Sequence, residues 1–122
     1  MRATGIDHYV LAVVDVERTL AWYADRLGLE PTRVDEWRKG DAPFPSLRVN
    51  DSLIIDVIPG PRAGENVDHI CLLVDVDDLA AVAQSGRFDV VGGPSTLWGA
   101  RGYGQGLYVR DPDGNVIELR HY

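Results

Sequence analysis

The chain has 122 residues, 45% hydrophobic and 25% charged, the composition of one globular domain rather than of a disordered tail. A formal charge of −7 repels phosphate backbones, so nucleic acid is not an expected partner. The single cysteine, Cys71, excludes an internal disulfide and any thiolate-rich zinc or iron–sulfur site.

In chain order, Gly5–Val14 is apolar and β-branched and predicts a strand. Asp15 is placed to cap the helix that follows. In that helix Val16, Leu20, Tyr23 and Leu27 recur at helical spacing, and Gly28 supplies the stop. Trp22 and Tyr23 follow this stripe and are expected in the core. Three strands are predicted next, near 30–38, 45–49 and 52–58, with Asn50-Asp51 as the turn between the last two. Pro59-Gly60-Pro61-Arg62-Ala63-Gly64-Glu65-Asn66 has the composition of a joint.

The second half repeats the first. Asp68-His69-Ile70-Cys71-Leu72-Leu73-Val74-Asp75-Val76 matches Asp7-His8-Tyr9-Val10-Leu11-Ala12-Val13-Val14-Asp15-Val16 with one residue dropped. His8 and His69 stand 61 residues apart. Leu53-Ile54-Ile55-Asp56-Val57 matches Asn115-Val116-Ile117-Glu118-Leu119 at nearly the same offset. The strand at 68–74 is followed by a short helix carrying Leu79, Val82 and Ala83, capped by Asp75 or Asp77. Strands near 88–91, 105–110 and 115–121 complete the copy, the last two joined by the turn Asp111-Pro112-Asp113-Gly114. The expected fold is α+β: two βαβββ modules in tandem, about 1–60 and 66–122, forming a curved, incomplete barrel around a cavity within one domain of 1–122. Such sheets leave an open apolar face, so a homodimer is expected. The apolar runs, such as Ile70–Val74, fall far short of the roughly 18 residues that span a bilayer, so no membrane span is expected. No signal-peptide stretch opens the sequence, which leads to an expected cytoplasmic location.

The repeat places His8 and His69 at one position of the two copies and Asp56 and Glu118 at another. All four interrupt runs of Ile, Val and Leu, where an ionised carboxylate is costly unless something pairs with it. Two imidazoles and one or two carboxylates suit a divalent first-row metal, with positions left open for substrate. Asp56 is a methylene shorter than Glu118 and is either a fourth ligand or a close neighbour. Cys71 shares a strand face with His69 and is expected as a buried structural thiol.

These residues resemble the vicinal oxygen chelate superfamily, which includes glyoxalase I, extradiol dioxygenases, methylmalonyl-CoA epimerase, and fosfomycin- and bleomycin-resistance proteins. The resemblance runs through Asp7-His8, Ala21-Trp22-Tyr23, Leu27-Gly28-Leu29 and Asp68-His69. It closes on Tyr108-Val109-Arg110-Asp111-Pro112-Asp113-Gly114-Asn115-Val116-Ile117-Glu118-Leu119, the most specific motif in the chain. It implies His8, His69 and Glu118 as metal ligands, and Asp56 stands where glyoxalase I has an additional carboxylate. Tyr9, in place of a threonine, and a chain end four residues past Glu118 depart from the fosfomycin enzymes. His121, the one spare histidine, falls on the opposite strand face from Glu118, which departs from the extradiol pattern.

Pro94–Gly106 combines four glycines with Trp98, Arg101 and Tyr103 and is expected as a mobile lid over a pocket. Arg101 would meet an anionic group. Trp37, Trp98, Tyr103 and Tyr108 would supply aromatic surfaces, and Arg48 is a further candidate for substrate contact. Three functions follow as expectations. The first is a divalent-metal-dependent enzyme, of the glyoxalase-like lyase or isomerase kind, acting on a small oxygen-rich substrate. It would use one ion of Ni, Zn, Mn, Co or Fe, with Glu118 also as proton acceptor. The second is a metal-free protein that sequesters a natural product. The third is an Fe(II) dioxygenase of extradiol type using His8, His69 and Glu118.

Overall fold

The computed structural model describes residues 6, 8–61, 63–64, 67, 69–99 and 102–122, with backbone alone for His8 and Trp98. It divides into two compact units, Met1–Asn66 and Val67–Tyr122.

The first unit runs β1 (His8–Val13), α1 (Val16–Leu27), β2 (Glu30–Thr32), α2 (Val34–Arg38), β3 (Ser46–Asn50) and β4 (Leu53–Pro59). Its sheet has the order β1-β4-β3-β2, with β1 parallel to β4 and the other pairs antiparallel. The second unit runs β5 (Ile70–Leu73), α3 (Leu79–Gln84), β6 (Asp89–Gly99), β7 (Gly102–Arg110) and β8 (Val116–His121). Its order is β5-β8-β7-β6, again with the first strand parallel to the last. The two sheets have the same topology, neither is closed, and the class is α+β, as the repeat predicts. Among the described residues no helix is long and apolar enough to cross a membrane.

Local chemistry explains α1. Asp15 Oδ1 accepts from the Arg18 backbone N–H at 2.9 Å, and Gly28 closes the other end at φ 67°. Val16, Leu20 and Tyr23 lie buried along one stripe, while Trp22 meets Tyr23 edge-on. Asp15→Ala is expected to cost about 1 kcal/mol, read from urea denaturation.

Three expectations change. The predicted strand at 30–38 ends at Thr32, because Arg33 adopts φ 60° and turns the chain into α2. Acidic Asp35 and Glu36 open that helix, and Arg38 closes it, forking onto Glu17 of α1 at 2.7 Å through both Nε and Nη2. That guanidinium holds the Glu17 carboxyl below its ordinary range. The cap of α3 is Asp78 rather than Asp75 or Asp77, with Oδ1 accepting from Ala81 N–H at 3.0 Å.

The third change concerns Pro94–Gly106. It is no lid loop but lies within the β6–β7 hairpin, whose ladder extends to Gly99 opposite Gly102. The glycines there meet steric demands. A Cβ on Gly104 would lie 2.6 Å from the His121 carbonyl oxygen, and one on Gly106 2.7 Å from Glu118 Oε1. Arg101 of this segment, and Arg62, Glu65 and Asn66 of the joint, lie outside the described residues.

Candidate metal centre

In the first unit, the parallel register sets His8 beside Ile54 and Val10 beside Asp56. His8 therefore stands two residues ahead of the partner of Asp56, on the same face of the sheet. Across β3, Ser46 pairs with Asp56, and Arg48 with Ile54. Asp56 is buried, and the Ser46 hydroxyl donates to its Oδ1 at 2.6 Å.

The second unit repeats this register. Cys71 stands beside Glu118, which places His69 two residues ahead of the partner of that carboxylate. Here the side chains are resolved together: His69 Nε2 lies 3.4 Å from Glu118 Oε2. On the other side of β8, Tyr108 pairs with Glu118. The Tyr108 ring meets His69 edge-on, with centroids 5.4 Å apart and planes at 86°. Burial, and then the neighbouring Glu118 charge, push the Tyr108 phenol above its ordinary range, so it serves as a donor.

The β7–β8 register depends on the predicted turn. Asp111 Oδ1 accepts from the backbone N–H of Asp113 and Asn115 at 2.9 and 2.8 Å, and its Oδ2 accepts from Asn115 Nδ2 at 2.8 Å. With Gly114 at φ 79°, this closes the corner that sets Tyr108 opposite Glu118.

Two side chains beside these carboxylates, one in each unit, are absent from the sequence expectations. Arg120, only 2% exposed, donates from Nε to Glu118 Oε1 at 2.8 Å and from Nη1 to the Tyr122 hydroxyl at 3.1 Å. Its signal was available: it lies two residues after Glu118 and so shares that face. Ser46 is the other, and finding it requires the β3–β4 register. Cys71 is exposed rather than buried, because β5 alternates and its inward positions are Ile70 and Leu72. Partial desolvation, and then Glu118, hold the thiol above its ordinary range. Alkylation by iodoacetamide at pH 8 should therefore be several-fold slower than for a small thiol, because less thiolate is present, and faster in Glu118→Gln. A wild-type rate equal to that of the small thiol refutes this.

The remaining candidates stand on separate elements. Trp37 is half-buried on α2. Arg48 donates from Nη1 to the Asn50 carbonyl at 3.0 Å, beside a shallow recess of about 140 Å³. Trp98 and Tyr103 are cross-strand partners near the end of the hairpin, and Tyr103 is exposed. Among the described side chains, no group of three or more His, Cys, Asp and Glu is gathered closely enough to hold an ion, and the His8 side chain is outside that set.

The His69–Glu118 pair nonetheless fits a metal. Two donors each about 2.1 Å from one ion at a tetrahedral angle lie about 3.4 Å apart, which is the separation found between Nε2 and Oε2.

Comparison with known proteins decides the family. Residues 5–119 match the model of the Glyoxalase/Bleomycin resistance protein/Dioxygenase superfamily. The chain belongs to this superfamily. Virulence protein STM3117 of Salmonella typhimurium is 30% identical over 121 residues, covering 96% of this chain and 83% of that protein. Its crystal structure superimposes with a TM-score of 0.78 at 27% identity, covering 100% of this chain and 99% of that one. The glyoxalase domain-containing protein RDO1 of Mycosarcoma maydis is 30% identical over 126 residues, covering 97% of this chain and 68% of that protein. A glyoxalase/dioxygenase from Nostoc punctiforme shares the fold, with a TM-score of 0.71 at 23% identity over 95% of this chain and 89% of that one. Superfamily members with this topology thus include glyoxalase- and dioxygenase-type proteins.

Proposed function

We propose that this superfamily member is a divalent-metal-dependent enzyme acting on a small oxygen-rich substrate, with lyase or isomerase chemistry of the glyoxalase kind. His8, His69 and Glu118 are its ligands, and Asp56 is a fourth ligand or a close neighbour. The reading is carried by the 3.4 Å approach of His69 Nε2 to Glu118 Oε2. It is supported by the matching register of His8 and Asp56 on the other sheet.

A divalent ion there supplies Lewis-acid stabilisation to adjacent substrate oxygens. The chain does the rest. Glu118, when not serving as a ligand, is the proton acceptor, and Tyr108, with its phenol protonated, is a donor beside it. Tyr108 also packs against the His69 ring and so limits its rotation. Ser46 turns Asp56 through Oδ1, leaving Oδ2 for a ligand or a water.

The test is isothermal titration of metal-stripped protein with zinc or nickel. Wild type should bind one equivalent, His8→Ala and Glu118→Gln at least about tenfold more weakly, and Asp56→Asn should lose less. Equal affinity in wild type, His8→Ala and Glu118→Gln overturns the reading. Ferrous iron in the isolated protein, with oxygen uptake, would move it to a dioxygenase.

A further inference from the structure

We propose that Arg120 is a positioning residue that commits Glu118 to bind its ion through one oxygen, Oε2. The inference rests on the metal reading above. A carboxylate can occupy one coordination position or two, and the second choice removes a position from substrate. Three features of the second sheet decide between them. Arg120 Nε takes Glu118 Oε1 at 2.8 Å, in a pair whose side chains are 3% and 5% exposed. The guanidinium is itself anchored, by Nη1 on the Tyr122 hydroxyl at 3.1 Å and by the Tyr122 ring 5.3 Å away. Finally, Gly106, the cross-strand partner of Arg120, leaves the space into which Oε1 turns, since a Cβ there would stand 2.7 Å from it.

Oε2 is the oxygen turned to His69, 3.4 Å from its Nε2. The first unit lacks this lock. Two residues after Asp56 stands Ile58, and Asp56 Oδ1 is held by a neutral hydroxyl instead. The charged lock is thus a feature of one copy of the repeat.

Cobalt(II) is the probe, titrated into metal-stripped full chain by calorimetry, with the visible spectrum of each complex recorded. Arg120→Lys keeps the charge but loses the Nε contact and the anchoring on Tyr122. Gly106→Ala leaves every charge in place and crowds Oε1 and the Leu97 side chain equally, so Leu97→Ala with Gly106→Ala, which relieves the second clash, is measured beside it. Circular dichroism and melting establish that each variant is folded, and Gly106→Ala carries the test alone if Arg120→Lys is not. The expected result is a loss of about tenfold or more in cobalt affinity, together with a shifted visible band as Oε1 is released or displaced. Folded variants with wild-type affinity and spectrum overturn the inference, and so does a lower melting temperature with no spectral change. A wild-type chain that takes up no cobalt fails the metal reading itself, and the inference with it.

Discussion

Arg120→Leu is expected to destabilise the fold by about 3–5 kcal/mol, because it leaves the buried Glu118 carboxylate without its cation. Both side chains of the pair are almost fully enclosed, at 3% and 5% exposure. Losing one partner forfeits the charge-assisted bond and exposes the full desolvation cost of the other. The double variant Arg120→Leu with Glu118→Leu should recover most of the loss, since replacing both members of a buried pair by apolar groups is often nearly neutral. Urea denaturation of the two singles and the double completes the cycle. A single variant within about 1 kcal/mol of wild type would show that the carboxylate finds water or another donor.

The second large effect is expected at Tyr23. Its ring is wholly enclosed at 0% exposure between the helix and the sheet it covers, and the indole of Trp22 meets it edge-on at 4.9 Å. Tyr23→Ala removes an aromatic ring from a close-packed interior and should cost about 3–5 kcal/mol, the range of large-to-small aromatic truncations. Val14→Ala, nearby but 65% exposed, is the control and should stay within about 0.5 kcal/mol. Comparable losses in both would mean that Tyr23 is not an anchor of α1.

The legibility of the fold came from repetition. His8 and His69, and Asp56 and Glu118, recur at almost one offset, and the two sheets then show one order and one register. Periodicity also set α1, since its cap, stripe and stop are all local. What sequence patterns missed was settled by contacts between distant residues. Val34–Arg38 is helical because Arg33 turns left-handed and Arg38 reaches Glu17, 21 residues away. The hairpin through Pro94–Gly106 reads as a loop because glycine usually signals freedom. Here glycine signals the close approach of β8, which no local pattern reveals. The four repeated positions could be read from the repeat, and Arg120 from its place two residues after Glu118, while Ser46 required knowing what lies across the strand.

The strand order has one more consequence, at the margins of the sheets. Each sheet has two outer strands, β1 and β2 in one and β5 and β6 in the other, and β2 and β6 are the ones on the antiparallel side. An open margin is a template on which another extended chain can add itself. β2 is three residues long and carries Pro31, which has no N–H to offer an incoming strand. β6 is eleven residues long, but its ladder slips twice, between Val90 and Gly92 and again between Gly92 and Ser95, with Pro94 in the second break. The margins on β2 and β6 are therefore too short or too irregular to template a continuous intermolecular ladder, and the long hairpin keeps its length without offering one.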